Sequence, residues 1–176
     1  MFQRGVTLIE LMVVIAIVAI LSGIAVPSFS QLIADTSLSS QVNGFMADAR
    51  FARSEALKRG VTVMMCPSAN PMDASPACTT DREWKPGWIV FLDANANSIF
   101  DPAELVLRRQ DALSSIASAT STATAFRFNS EGRAAGVNGN LLFTSSNNSG
   151  DVFPRRLCIN SIGKVRVVDR VARPLC

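Results

Sequence analysis

The sequence predicts an α+β protein in which one long N-terminal helix packs on antiparallel β-sheet. Three observations carry this reading. They are an apolar run over residues 6–26, a stretch over 28–59 with helical periodicity, and short β-type runs beyond Gly60 separated by Gly, Asn, Asp, Ser and Pro. Short strands and one long helix bury their apolar faces together when the helix covers one side of the sheet. At 176 residues the chain has room for one helical anchor and one globular domain of roughly 150 residues.

Within residues 6–26 only Thr7, Glu10, Ser22 and Gly23 interrupt the apolar composition. At 1.5 Å per residue the run makes about 30 Å of helix, the thickness of a bilayer core. It is therefore expected to span a membrane, with Glu10 as the anomaly, since a carboxylate inside a span costs roughly 2.5–3.5 kcal/mol unless it is paired. Pro27 is expected to kink the helix without ending it, because helical periodicity resumes beyond it. Leu38, Val42, Phe45, Met46, Ala49, Ala52 and Ala56 recur at spacings of three and four, leaving Asp48, Arg50, Arg53 and Lys58 largely on the other faces. Lys58 and Arg59 suit a helix C-terminus and Gly60 supplies its cap.

Candidate strands follow at 61–66, 88–92, 105–109, 125–128, 141–144, 156–159 and 165–168. The Ser/Thr/Ala-rich stretch 114–124 and the stretch 134–140 are expected to be loops.

The formal net charge of +3 averages two unlike parts. Residues 1–150 carry 11 Lys/Arg against 12 Asp/Glu, and residues 151–176 carry 6 against 2. The C-terminal excess is Arg155, Arg156, Lys164, Arg166, Arg170 and Arg173. If Val165 and Val167 face the core, Lys164, Arg166 and Val168 face outward. Such a patch suits the phosphates of double-stranded DNA, or equally a subunit contact or a solvated face. Trp84 and Trp88 offer either a stacking platform for bases or packing residues.

The chain contains no histidine, which removes Ser-His and Cys-His nucleophilic pairs within it. No Gly-rich phosphate loop opens a helix, and the chain is read as non-enzymatic. Cys66, Cys78, Cys158 and Cys176 form no C-x-x-C pair, so disulfides in a non-cytosolic compartment are the better reading than zinc. Three pairings are open; Cys66 with Cys78 and Cys158 with Cys176, which join sequence neighbours, are the expected ones. Asp93, Asn95, Asn97, Asp101 and Glu104 stand at positions 1, 3, 5, 9 and 12 of a twelve-residue stretch, the spacing of an EF-hand calcium loop. Ser98 replaces the glycine of the sixth position and a strand leads in, so the alternative is a loop that caps its own turns.

The N-terminal order Arg4-Gly5-Val6-Thr7-Leu8-Ile9-Glu10 has its acidic residue inside the apolar region, unlike a secretory signal peptide cleaved near Ser22-Gly23-Ile24-Ala25-Val26. It resembles the class III signal of type IV pilins and type II secretion pseudopilins, with Val6 where Phe or Met is usual. The blocks Ala52-Arg53-Ser54-Glu55-Ala56, Val63-Met64-Met65-Cys66-Pro67-Ser68, Trp84-Lys85-Pro86-Gly87-Trp88-Ile89-Val90-Phe91-Leu92-Asp93 and Phe128-Asn129-Ser130-Glu131-Gly132-Arg133 narrow the resemblance to the GspH/FimT family of minor pilins and pseudopilins. The resemblance implies a leader over 1–5 cut by a prepilin peptidase between Gly5 and Val6, and N-methylation at Val6. Glu10 would pair with the amino terminus of a neighbouring subunit. Residues 6–26 would span the inner membrane, 27–60 would continue the helix, and 61–176 would form a periplasmic β-rich domain, an orientation that Arg4 also favours. Implied partners are other major and minor pilins or pseudopilins and the inner-membrane assembly platform. Gly163-Lys164-Val165-Arg166 also resembles the motif by which FimT-type pilins bind DNA, with Lys164 lacking the bidentate fork of arginine.

Overall fold

The computed structural model describes residues 7–134, 139–146 and 153–168, with the side chains of 24–28 excepted. One helix, α1 (Leu8–Arg59), runs for 52 residues through Pro27, about 78 Å at 1.5 Å per residue. Thr7 caps its start, accepting the Glu10 N–H on Oγ1 at 3.3 Å. Gly60 ends it at φ 68°, returning its N–H to the Ala56 carbonyl at 2.9 Å, a left-handed cap that only glycine adopts without strain.

Eight strands follow: β1 (Thr62–Pro67), β2 (Trp88–Asp93), β3 (Val106–Gln110), β4 (Ile116–Ser121), β5 (Phe126–Phe128), β6 (Gly139–Ser145), β7 (Arg155–Ile159) and β8 (Val165–Val168). They form two four-stranded antiparallel sheets, ordered β3-β2-β1-β5 and β4-β6-β7-β8. The chain passes from the first sheet to the second at β4, returns at β5 and leaves again at β6, so the crossings tie the two sheets together. The helix meets β1, β2 and β5 of one sheet and β6, β7 and β8 of the other.

The expected helical stripe is the core. Leu38, Val42, Phe45, Ala49, Ala52 and Ala56 are buried, with Met46 packed at their margin. Phe45 is the centre. Its ring stands edge-on to Trp84 at 5.3 Å, Trp88 at 5.1 Å, and Phe126 and Phe143 at 6.0 Å each, the aromatic geometry that ring quadrupoles favour. One turn further, Ala49, Ala52 and Ala56 present only methyl groups, which lets the helix lie close on the sheets. The tryptophans are therefore packing residues, and the base-stacking alternative is excluded by their burial.

Several expectations are corrected. Residues 114–124 contain a strand: β4 pairs with β6 on one side, while Trp84 N–H and Ser121 N–H bond across to Ala119 and Arg82 carbonyls on the other. Its small side chains carry weak strand propensity, but Ile116 and Ala119 are in the core. Of the stretch 134–140, Ala134 bridges to Phe128 and residues 139–140 belong to β6. Asp48 is buried, because its carboxylate accepts Trp88 Nε1–H at 2.9 Å and Arg108 Nη1–H at 2.7 Å. Arg53 is half-buried and donates from Nε to the Gly132 carbonyl at 2.8 Å. Val167 pairs with Leu157 and so lies on the core side with Val165, but at the edge strand β8 it stays exposed.

The Cys66–Cys78 disulfide forms as expected, with Cα atoms 5.6 Å apart. It pins the 68–87 crossing to the end of β1. Cys158 is also disulfide-bonded, and Cys176 lies outside the described residues.

Phe45→Ala is expected to destabilise the domain by about 3–5 kcal/mol, read from tryptophan fluorescence in a denaturant titration. Asp48→Ala should cost about 2 kcal/mol, because it strands the buried Trp88 N–H, whereas Arg108→Ala at a 43% exposed side chain should cost less than about 1 kcal/mol. Equal losses at the two positions would contradict this assignment.

Candidate functional site: an exposed apolar helix and its docking node

The start of α1 stands clear of the domain: the side chains of residues 8–23 are all exposed. Leu8, Ile9, Leu11, Met12, Val13, Val14, Ile15, Ile17, Val18, Ile20 and Leu21 are each more than half exposed, and Phe29, Leu32 and Ile33 continue the surface. Burying a side chain of this kind yields about 1.5–3 kcal/mol, so the eleven from Leu8 to Leu21 hold on the order of 20 kcal/mol of driving force towards lipid or other helices. Ser22 is satisfied within the helix, its hydroxyl donating to the Val18 carbonyl at 2.7 Å, which suits an apolar setting. Among the described residues no helix is long and apolar enough to cross a membrane. The part of the run whose side chains are described, 8–23, is shorter than the about 20 residues a span needs.

Glu10 is exposed in the first helical turn, where the helix dipole favours an anion. Among the described residues it has no ion-pair partner. Gly5 and Val6 lie outside the described residues.

The blocks that follow the helix in sequence converge on it in space. Arg53 reaches the Gly132 carbonyl, and Gly163 lies so close that a Cβ there would fall on that carbonyl and press on the Arg53 guanidinium. Gly132 and Gly163 both have positive φ, 70° and 74°, and a Cβ on Gly132 would collide with Leu57. Trp88 is held by Asp48, and Trp84 by Phe45. Every one of these motif residues helps seat the helix. Sequence reasoning missed this node. The signal it could have used is the recurrence of Gly in blocks that also carry an Arg or an aromatic.

The C-terminal basic residues divide. The β7–β8 register pairs Arg156 with Val168 and Cys158 with Arg166, so Arg156 and Arg166 share the outer face of the sheet, and Lys164 extends it. Arg155 points to the opposite side and pairs with Asp35 of the helix at 2.9 Å, which corrects its place in the patch. Arg170 and Arg173 lie outside the described residues. Gly163 is explained by its backbone and its close approach to Gly132, without a nucleic acid.

In the 93–104 loop Asp93 is buried and the other four candidate ligands are gathered by hydrogen bonds. Among the described residues no three His, Cys, Asp or Glu side chains form a metal-binding group on their own.

A helix locked into a two-sheet domain along one half and left apolar and exposed along the other defines a pilin-like subunit. The comparisons agree. Residues 41–163 match the family described as type II transport protein GspH, and residues 1–26 match the prokaryotic N-terminal methylation motif. The fold is similar to the minor pilin FimU of Pseudomonas aeruginosa, with TM-score 0.57 and 17% identity over 76% of this chain and 90% of that one. It is also similar to the minor pseudopilin EpsH of the Vibrio cholerae type 2 secretion system, with TM-score 0.52 and 10% identity over 75% and 96%. At these identities the likeness shows the fold alone. Fimbrial protein Q of Moraxella bovis is 40% identical over 78 residues, 44% of this chain and 49% of its own length. The type IV major alpha-pilin of the same organism is 43% identical over 63 residues, 36% and 39%. The chain thus spans half or less of these relatives. It belongs to the GspH family of minor pilins and pseudopilins. None of these comparisons supports nucleic acid as a partner of the basic face.

The helix-seating role of Gly163 makes a prediction. Gly163→Ala should lower the stability of the domain measurably by displacing Arg53, while Lys164→Ala beside it should change stability by less than about 0.5 kcal/mol. Both are read by chemical denaturation.

Proposed function

We propose that the chain is a membrane-anchored structural subunit, not an enzyme, that enters a type IV pilus or a type II secretion pseudopilus as a minor component at its tip or priming complex. The observation that carries this reading is the exposed apolar half of α1, continuous with a half that the domain core holds rigidly. In the bilayer the apolar half, 6–26 with its N-terminus cytoplasmic, anchors the subunit and leaves the β domain in the periplasm. In the filament the same surface packs against the helices of other pilins or pseudopilins above the inner-membrane assembly platform.

The prepilin-type start supports processing between Gly5 and Val6 by a prepilin peptidase and methylation of the new Val6 amino group. Glu10 is then the fifth residue of the mature chain, one helical turn from that terminus. Left alone, its carboxylate opposes burial. Paired with the amino group of a neighbouring subunit it becomes a reason to assemble in register, since a buried charge is tolerated where its counter-charge is supplied.

Mass spectrometry of the chain recovered from membranes is expected to show an N-terminal N-methylvaline at position 6. Glu10→Ala is expected to be processed and inserted at wild-type levels but to be at least tenfold depleted from sheared filaments. Normal incorporation of the variant would remove Glu10 from this role, and an unprocessed chain would overturn the reading as a whole.

A further inference from the structure

The loop joining β2 to β3 is not used by the assembly surface, and its chemistry is of another kind. We infer that residues 93–104 bind one calcium ion. Asp93 ends β2 with 1% of its surface exposed. Its Oδ2 accepts the Ser98 N–H at 3.2 Å, which turns the carboxylate into the loop, while Oδ1 is sealed from water with no partner among the described residues. A buried carboxylate oxygen with an unused lone pair calls for a donor or a cation. Among the described residues no donor bonds to Oδ1.

Charge points the same way. Asp93, Asp101 and Glu104 place three carboxylates in one short loop, and among the described residues no Lys or Arg pairs with any of them. The remaining oxygens are already drawn together. Asp101 Oδ2 accepts from Asn95 Nδ2 at 2.8 Å and Asn97 Nδ2 at 2.9 Å. Glu104 closes the loop on itself, accepting Ala94 N–H at 3.0 Å and Asp101 N–H at 3.1 Å. Asn95 Oδ1 and Asn97 Oδ1 each accept one main-chain N–H, from Asn97 at 3.1 Å and Ile99 at 2.8 Å, and each keeps a lone pair for a metal.

The backbone path also fits. Ser98 takes φ 65°, the conformation for which a calcium loop carries glycine at its sixth position. Phe100 anchors the loop to the sheet, its ring 5.1 Å from that of Phe91. The donor set would combine the carboxylates with amide oxygens and the Ile99 carbonyl at the seventh position; among the described residues the acidic side chains do not by themselves form a metal-binding group. Oxygen donors of this number, on a pliable loop, suit calcium over zinc or magnesium. The ion would displace the two asparagine amide donors from Asp101 and take their place as its counter-charge.

The test is thermal unfolding of the full-length chain in detergent micelles, stripped with a chelator and titrated with calcium chloride or magnesium chloride. Calcium is expected to raise Tm saturably by several degrees, with a midpoint of about 0.1–1 mM as for extracellular calcium modules, and magnesium to do much less. Asp93→Asn and Glu104→Gln should each weaken the response at least tenfold, Asp81→Asn outside the loop should leave it intact, and Ser98→Gly should shift the midpoint to lower calcium. Glu104 is only partly buried, so its variant carries the comparison if Asp93→Asn does not fold. A wild-type Tm unmoved at about 10 mM calcium, an equal response to magnesium, or loop variants that respond like the wild type would overturn the inference.

Discussion

The seating of Phe45 among Trp84, Trp88, Phe126 and Phe143 is the interaction on which the rest of the structure depends. These four rings come from the crossing before β2, from β2 itself, from β5 and from β6, so one helical side chain joins both sheets. Neither sheet alone has a second layer to bury its inner face. Without the helix the domain would expose Val63, Met65, Leu141 and Leu157, all of them buried in the same core. The aromatic contacts are directional, and they fix the rotation of the helix about its axis. That rotation brings Asp48 to Trp88 and Arg108, and Arg53 to Gly132.

From this constraint the division of the helix follows. Residues from Leu38 onwards are committed to the core, while 8–23 and 29–33 extend beyond it and keep their apolar faces exposed. The helix is continuous from Leu8 to Arg59, so the half committed to the core carries the exposed half with it. The subunit therefore presents its apolar surface on an extension of the element that organises its β domain. The Asp35–Arg155 pair, at the level where the helix leaves the domain, is half-exposed and adds little energy. It marks the boundary between the two roles.

Much of this was legible in the sequence because long, strongly periodic elements are. The helix, its buried stripe, its Gly60 cap, the Cys66–Cys78 bridge and seven of the eight strands could be read from spacing and turn residues. What was illegible depended on tertiary contacts. The Ser/Thr/Ala composition of β4 conceals a strand that exists because β6 and the 82–84 segment pair with it. Asp48 looks like a solvated charge until the Trp88 indole is placed over it. Arg155 and Arg156 are adjacent in sequence but point to opposite sides of the sheet, because strand side chains alternate. The calcium-type spacing of 93–104 was visible, but the buried, unpartnered Asp93 oxygen was not.

The central claim is that residues 38–56 of the helix and the two sheets form one cooperative unit, with the preceding half of the helix outside it. Native-state hydrogen exchange of the chain in micelles, followed over low denaturant concentrations, tests this most directly. The account predicts that amides of 38–56 open with the same free energy and denaturant dependence as those of β1, β5 and β6. Exchange of 38–56 at a clearly lower opening energy, while the sheets stay protected, would contradict it.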